Sequence, residues 1–424
     1  MPPDADNLRD DVAPPAPLQR GTNQAGMRAQ NERLVLSLVR RHGALAKSEI
    51  ARMTGLSAQT VSVIMRHLES DRLLRRGEPQ RGRVGQPSVP MSLDPEGAYF
   101  LGAKVGRRSL EFVLVDFAGG VRHQSRASYA FPLPGETVRL IRAEVARSEK
   151  LLGERAGRIA GLGLAMPFGL WHWATEIGAP AAGLDAWRSV DIRAELAAEL
   201  PWPVYIQNDA TAACGAELAF GASAGLQDFI YFYVGAFVGG GLVLSGGLYA
   251  GRTGNAAALG SMPVPDGAGG STQLIDVASL VLLERRLRAD GRLPEAIYDP
   301  AADWSVCGAA LDEWIATAGR GIAHAVAAGC AIIDFEAAVI DGAFPAEVRE
   351  RLIAAVGAEL GRLDLSGIEA PLLRAGSIGP VARALGGASL PLFDRYLVDQ
   401  HTLSGVGNRR PGEGWAHVPG TASY

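Results

Sequence analysis

The sequence predicts an α/β protein with a winged helix-turn-helix at its N-terminal end. Three observations point there. Residues 31–71 carry helical apolar spacing broken by glycine stops, and the stretch behind them is rich in Gly and Arg. From residue 100 onward, apolar strand-like runs end in Gly-rich loops and alternate with helical stretches, the pattern of an α/β fold.

A chain of 424 residues is long enough for two or three domains, and 48% hydrophobic with 20% charged residues suits a soluble globular protein with a large core. Residues 1–25, rich in Pro, Asp and Ala, read as a disordered leader with no apolar signal-peptide core. No apolar run reaches the roughly 18 residues that span a bilayer, so no membrane partner is expected and the cytoplasm is the natural location. Cys214, Cys307 and Cys330 have no paired metal spacing and read as buried apolar residues in a reducing compartment. Net charge is −4, unevenly spread: residues 28–90 hold twelve Lys/Arg against five Asp/Glu, leaving −11 for the rest. A basic segment beside an acidic body suggests a polyanion-binding module, although a solvated face would look the same.

Residues 26–93 form that module. Leu34, Val35, Leu38 and Val39 share one helical stripe, and Gly43 ends it. Residues 47–55 make a short helix ended by Gly55, and Ser57 is placed to cap a third over 56–71. Val61, Ile64, Met65 and Leu68 point inward there, leaving Gln59, Thr60, Ser62, Arg66 and His67 outside. Two short helices around "TGLS" make a helix-turn-helix whose second helix reads. Residues 73–93 read as two strands with a Gly- and Arg-rich tip, a wing. The plainer alternative is a small helical bundle with no ligand. A core hairpin would not carry Arg75, Arg76, Arg81 and Arg83 around glycines; these suit phosphates or a narrow minor groove. The partner this implies is double-stranded DNA. Gln59 has the geometry to pair with adenine, Thr60 and Ser62 to reach base or phosphate, and Arg66 to touch phosphate. Ser57, Arg81, Arg83 and Gln86 complete the candidate set. A lone module of this size reads few base pairs, so specificity calls for a dimer on a repeated half-site.

The body is expected over 98–400, with a tail over 401–424. "FLGAKVGRRSLEFVLVDFAGG" gives two strand-like runs, and "RIAGLGLAMPFGL" a buried strand closing in a Pro/Gly loop. "VYIQNDATAACGAE" passes from strand to helix at Asn208-Asp209. Residues 228–264 read as strand, glycine turn, strand and loop, and 335–345 as a further strand.

With "GRVGQPSVP", "QNDATAACGAE", "GGGLVLSGGLYAGRTGNA" and "GSIGPVARALGGASLPLF", this order resembles the ROK family of repressors and sugar kinases, in its xylose- and N-acetylglucosamine-repressor type. The resemblance covers roughly residues 28–400. It implies a two-lobed actin-like ATPase (sugar-kinase-like) body with ligand in the cleft, and a homodimer or tetramer. Family kinases open with Asp-x-Gly-Gly-Thr, where this chain has Lys104-Val105-Gly106-Arg107-Arg108. Their second phosphate loop, Gly-Thr-Gly-Ile-Gly, is here Gly235-Ala236-Phe237-Val238-Gly239. Their sugar loop, Gly-Asn-Ala-Gly-Glu-Ile-Gly-His, is here residues 254–261, with Ala258 for the acid and Ser261 for the histidine. Residues 265–279 have no cysteine where the family places zinc, so no metal is expected.

Asn208, Asp209, Gly254 and Asn255 remain as ligand-binding candidates by this resemblance. Alternatively, Asp209 simply caps the following helix while Asn208 closes the turn. Trp171, His172, Trp173 and Trp187 fall near the family's cleft lining, with core or lid packing as the alternative. The reading is a DNA-binding regulator, a repressor of carbohydrate-related genes, with no catalytic residues and no cofactor. Its body serves oligomerisation and sensing of a sugar or sugar-derived effector. A bifunctional sugar kinase that also binds DNA, and a protein indifferent to ligands, are the alternatives.

Overall fold

The computed structural model describes residues 24–79, 88–173 and 181–398. The N-terminal unit packs α1 (Gln24–His42), α2 (Lys47–Thr54) and α3 (Ala58–Ser70) on β1 (Ala44–Leu45), β2 (Leu74–Arg76) and β3 (Met91–Leu93). The strands are antiparallel in the order β1-β3-β2, giving a winged helix. Gly55 ends α2 in the left-handed region at φ +70°, a conformation that suits glycine. Ile50, Val61, Ile64, Met65 and Leu68 fill the core, as their spacing predicts. On α1 the stripe is rotated: Val35, Leu36 and Val39 are buried, while Leu34 and Leu38 are half-exposed. The reason is that α1 packs both on its own unit, chiefly α3 and β3, and on the body's last helix. Arg81, Arg83 and Gln86 lie outside the described residues.

The body has two lobes built alike. The first holds β4 (Tyr99–Val105), β5 (Ser109–Asp116), β6 (Val121–Ser128), α4 (Pro134–Leu152), β7 (Ile159–Ala165) and β8 (Val204–Gln207), with sheet order β6-β5-β4-β7-β8. Next comes α5 (Asp209–Phe220), then β9 (Phe229–Val234), β10 (Val238–Leu244), β11 (Gly247–Tyr249) and a hairpin of β12 (Pro263–Pro265) and β13 (Ser271–Gln273). The chain continues through α6 (Leu280–Ala289), α7 (Ala309–Cys330), β14 (Ala337–Gly342), α8 (Ala346–Leu360), β15 (Leu372–Ala375) and α9 (Ala382–Tyr396). The second sheet runs β11-β10-β9-β14-β15, the arrangement of the first. In each, an antiparallel meander is followed by two parallel strands.

Strand β4 is buried throughout because both faces are covered. Leu101 and Ala103 face Val138 and Ile141 of α4, while Phe100 faces Ala388 and Leu392 of α9. Alternating side chains feed two cores, as a strand requires. Helices α5 and α9 pack on each other between the lobes. A Cβ on Gly386 would lie 2.0 Å from the Ala212 carbonyl oxygen, and one on Gly163 would lie 1.9 Å from that of Gly387. Glycine at these positions is what lets α9 sit between α5 and the sheet. The three cysteines are buried and form no disulfide. Among the described residues, no helix is long and apolar enough to cross a membrane.

Candidate functional site

The outward face of α3 is the first candidate. Ser57 accepts from the Thr60 N–H at 3.1 Å and lies 2.8 Å from the Thr60 hydroxyl, so both serve the helix cap. Gln59 and Arg66 are exposed, with Arg66 donating to the Ser62 carbonyl at 3.2 Å. Ser62 accepts from the Lys47 ammonium at 3.3 Å, tying α2 to α3. His67 turns toward Glu32 and Asp71, at 3.2 and 3.4 Å. Arg75 donates to Ser92 at 3.4 Å. Arg76 has a partner within the unit. It grips Glu69 at 2.6 and 3.1 Å, and this bond holds the Glu69 carboxyl below its ordinary value. The pair is solvent-exposed, so a phosphate approaching Arg76 would have to compete with Glu69.

The winged unit is fastened to the body. Arg40 of α1 lies 5.7 Å from the ring centres of Phe117 and of Phe220, and it donates to the Phe117 carbonyl. Burial lowers its pKa to about 10 despite Asp116 nearby. Arg41 donates to the Gly225 carbonyl at 2.6 Å, and Ser37 accepts from the Val398 N–H at 3.1 Å.

The cleft is the second candidate. Lys104, where the family has its acid, is buried and pairs across β4 and β5 with Glu111 at 3.0 Å. A Cβ on Gly106 would lie 2.3 Å from the Lys104 nitrogen, so the ammonium lies directly against the first phosphate-loop position. Burial and neighbouring Arg383 push the Lys104 pKa down. At the second loop, a Cβ on Gly235 would lie 3.4 Å from Arg383 Nη1. Arg383 also stacks 4.8 Å from the Tyr233 ring centre and donates to Asp209 at 3.2 Å. Burial opposes its charge, but Tyr233, Asp209 and Glu111 outweigh burial and hold it above its ordinary value. Thus a cation of the chain itself stands beside each phosphate loop.

The lobes are bridged at the same place. Arg107 reaches Glu284 of α6 at 3.0 Å, both side chains only 9% exposed. Arg108 lies 5.8 Å from the Tyr298 ring centre, and Arg126 donates to the Tyr298 carbonyl at 3.5 Å.

Asn208, not Asp209, caps α5: its side chain accepts from the N–H groups of Ala210 and Thr211 at 3.0 and 3.3 Å. This corrects the alternative in which Asp209 was the cap. Gly254 adopts φ +78° and Asn255 is exposed. Among the described residues no hydrogen bond joins Asn255 to Asn208 or Asp209. The sugar loop instead meets α5 across β10, where Leu259 packs on Gly240 and Ala210 on Gly239. Ala257 keeps a left-handed backbone at φ +56°, although the family's glycine is gone. The β12–β13 turn is held by Asp266, which accepts from Ala268 and Gly270 at 2.7 and 2.9 Å. Among the described residues, no group of three His, Cys, Asp or Glu side chains is arranged to hold a metal ion. Trp187 is in the first lobe's core and donates to the Pro132 carbonyl at 2.6 Å. Trp171 packs beside that core under Arg188, at 5.1 Å. The side chains of His172 and Trp173 are outside the described set.

Glu217 and Arg383 lie in "QNDATAACGAE" and "GSIGPVARALGGASLPLF", and their positions in the sequence point to no role for either. Glu217, fully buried on α5, accepts from the Ser377 N–H at 2.9 Å and from its hydroxyl at 3.0 Å. Buried Asp341 similarly gathers Tyr231, Gly342, Arg349 and Gly379, at 2.9–3.2 Å. An acid inside a family motif was the available signal for Glu217. Asp341 ends its strand in "AVIDG" and gave none.

A ROK family model matches residues 100–390, and a MarR family model matches residues 26–83. The protein y4fQ of Sinorhizobium fredii is 25% identical over 385 residues, which is 90% of this chain and 96% of that protein. The xylose repressor of Bacillus spizizenii is 21% identical over 57% of this chain, and the match spans only 62% of the repressor's length. A solved ROK family transcriptional regulator, described as a homologue of Escherichia coli Mlc, superposes with a TM-score of 0.64 at 18% identity. That superposition covers 87% of this chain and 97% of the other. The chain belongs to the ROK family, joined at its N-terminal end to a winged helix that matches the MarR family.

Proposed function

We propose that this protein is a sequence-specific DNA-binding regulator, a repressor of carbohydrate-related genes, whose ROK body senses and oligomerises without transferring phosphate. One observation carries the reading. A helix-turn-helix with an exposed polar reading face is docked on a body whose two phosphate loops lie against Lys104 and Arg383 of the chain itself. Phosphoryl transfer needs positioned phosphate and metal. A lysine in place of the acid repels magnesium, so these residues do not fit a magnesium nucleotide.

Gln59, Thr60, Ser62 and Arg66 are the contacts assigned to duplex DNA, with Ser57 orienting the first turn and Arg81, Arg83 and Gln86 in the wing. Half-sites about 34 Å apart call for a homodimer or a tetramer. The cleft at Asn208, Asp209, Gly254 and Asn255 is assigned to a sugar-derived effector. An effector acts only by binding two arrangements unequally. A hydroxyl that displaced Arg383 from Asp209 would disturb α5 and α9 together, and both helices end on the surface that holds α1.

The test incubates the purified chain with magnesium-ATP and glucose, N-acetylglucosamine or N-acetylmannosamine, and separately titrates duplex DNA at two salt concentrations. The expected result is salt-dependent DNA binding without sugar phosphate. Turnover that Asp209→Asn abolishes would carry the kinase reading instead.

A further inference from the structure

Helix α3 presents one apolar side chain where its surface should be polar. Val63 is 44% exposed, while the other apolar residues of its middle turns, Val61, Ile64, Met65 and Leu68, are at most 3% exposed. At 100° per residue, Val63 falls on the outward arc between Ser70 on one side and His67 on the other, within about 60° of Gln59, Thr60 and Arg66. That arc carries no acid, and Glu69 at its edge is engaged by Arg76. A single valine is far too small for a protein partner, which needs on the order of 1,000 Å² of buried surface. The basic balance of residues 28–90 favours a polyanion over an acidic surface.

We infer that Val63 is a specificity-determining residue that reads the C5-methyl group of a thymine in the major groove. The inference rests on the assignment of α3 as the reading helix. In the major groove, thymine alone of the four bases offers a methyl group, and an apolar side chain recognises it. Gln59 stands one helical turn earlier, about 5–6 Å away. That distance is one to two base-pair steps of about 3.4 Å. Gln59 and Val63 therefore read adjacent positions, the amide an adenine and the valine a thymine.

The test first selects duplexes from a random pool with the full chain. Each thymine of the selected half-site is then replaced singly by deoxyuridine, which lacks only the methyl group. One thymine beside the Gln59-dependent position should lose about four-fold in affinity on replacement, the equivalent of one buried methyl group. Val63→Ser should bind the thymine and deoxyuridine duplexes equally at that position and keep the wild-type response elsewhere. Its melting temperature should match wild type, because Val63 supports no core. A selected sequence with no methyl-sensitive thymine overturns the inference alone. So does a sensitivity that survives in Val63→Ser. Failure to select any sequence overturns the DNA-reading assignment together with it.

Discussion

Asp209 accepts a hydrogen bond from Arg383 at 3.2 Å, and each stands in the first turn of one of two packed helices. The far ends of those helices meet the winged unit's docking surface. Phe220 ends α5 beneath Arg40, and Tyr396 ends α9 against Phe117, with ring centres 5.0 Å apart. One ion pair in the cleft thus sits at the head of both elements that carry α1.

Breaking that pair from one side should cost more than replacing both partners. Asp209→Ala or Arg383→Met should each lose roughly 2–4 kcal/mol, because a largely buried charge is left unpaired. The double variant should recover at least about 1 kcal/mol of the summed loss. Urea unfolding of the four proteins measures this, and strict additivity would contradict the coupling.

The lobe bridge should respond to pH. Burial raises the Glu284 carboxyl, but its neighbours, Arg107 and Arg288 among them, outweigh it, so its pKa lies below the ordinary 4.5. A lowered carboxyl stabilises the fold fully above the unfolded value and loses that contribution as pH falls through the folded value. The melting-temperature gap between wild type and Glu284→Gln should hold between pH 7 and about pH 5 and close at lower pH. A gap unchanged down to pH 3 would exclude the bridge as its source.

Releasing Arg76 should strengthen DNA binding. Glu69→Gln removes the carboxylate that holds the guanidinium. Affinity for all duplexes should rise, and the salt slope should steepen by about 0.9 for one added phosphate contact. An unchanged slope would mean that Arg76 does not reach the backbone even when freed.

The sugar loop retains a backbone its sequence no longer suits. Ala257 sits at φ +56°, a region where a Cβ costs roughly 1–2 kcal/mol. Part of this is returned by the unfolded chain's lower entropy. Ala257→Gly should therefore stabilise the protein by about 1 kcal/mol or somewhat less. A destabilised variant would contradict the conformation.

The winged unit was legible in the sequence because local rules govern it. Apolar spacing, the Gly55 stop and the Ser57 cap each decide their own few residues. The strands of the body were legible for the same reason, through apolar runs closing in glycine loops. What was not legible depends on long-range contacts. Arg107 meets Glu284 and Arg383 meets Asp209 across more than a hundred residues, and nothing local announces such a pairing. The rotated stripe of α1 has that origin too, since a further packing partner for α1 comes from the far end of the chain. Arg76 read as a free cation because Glu69, seven residues away, becomes its neighbour only once β2 folds back on α3.

The most direct measurement is selection of duplexes from a random pool by the full chain, run in parallel with Gln59→Ala. If α3 reads bases through Gln59, wild type enriches a repeated half-site with centres about 34 Å apart. Gln59→Ala should lose the preference for adenine at one position of each half-site while its affinity for unselected DNA stays unchanged. No enrichment over the input pool, or the same enriched sequence from both proteins, would contradict that role for α3.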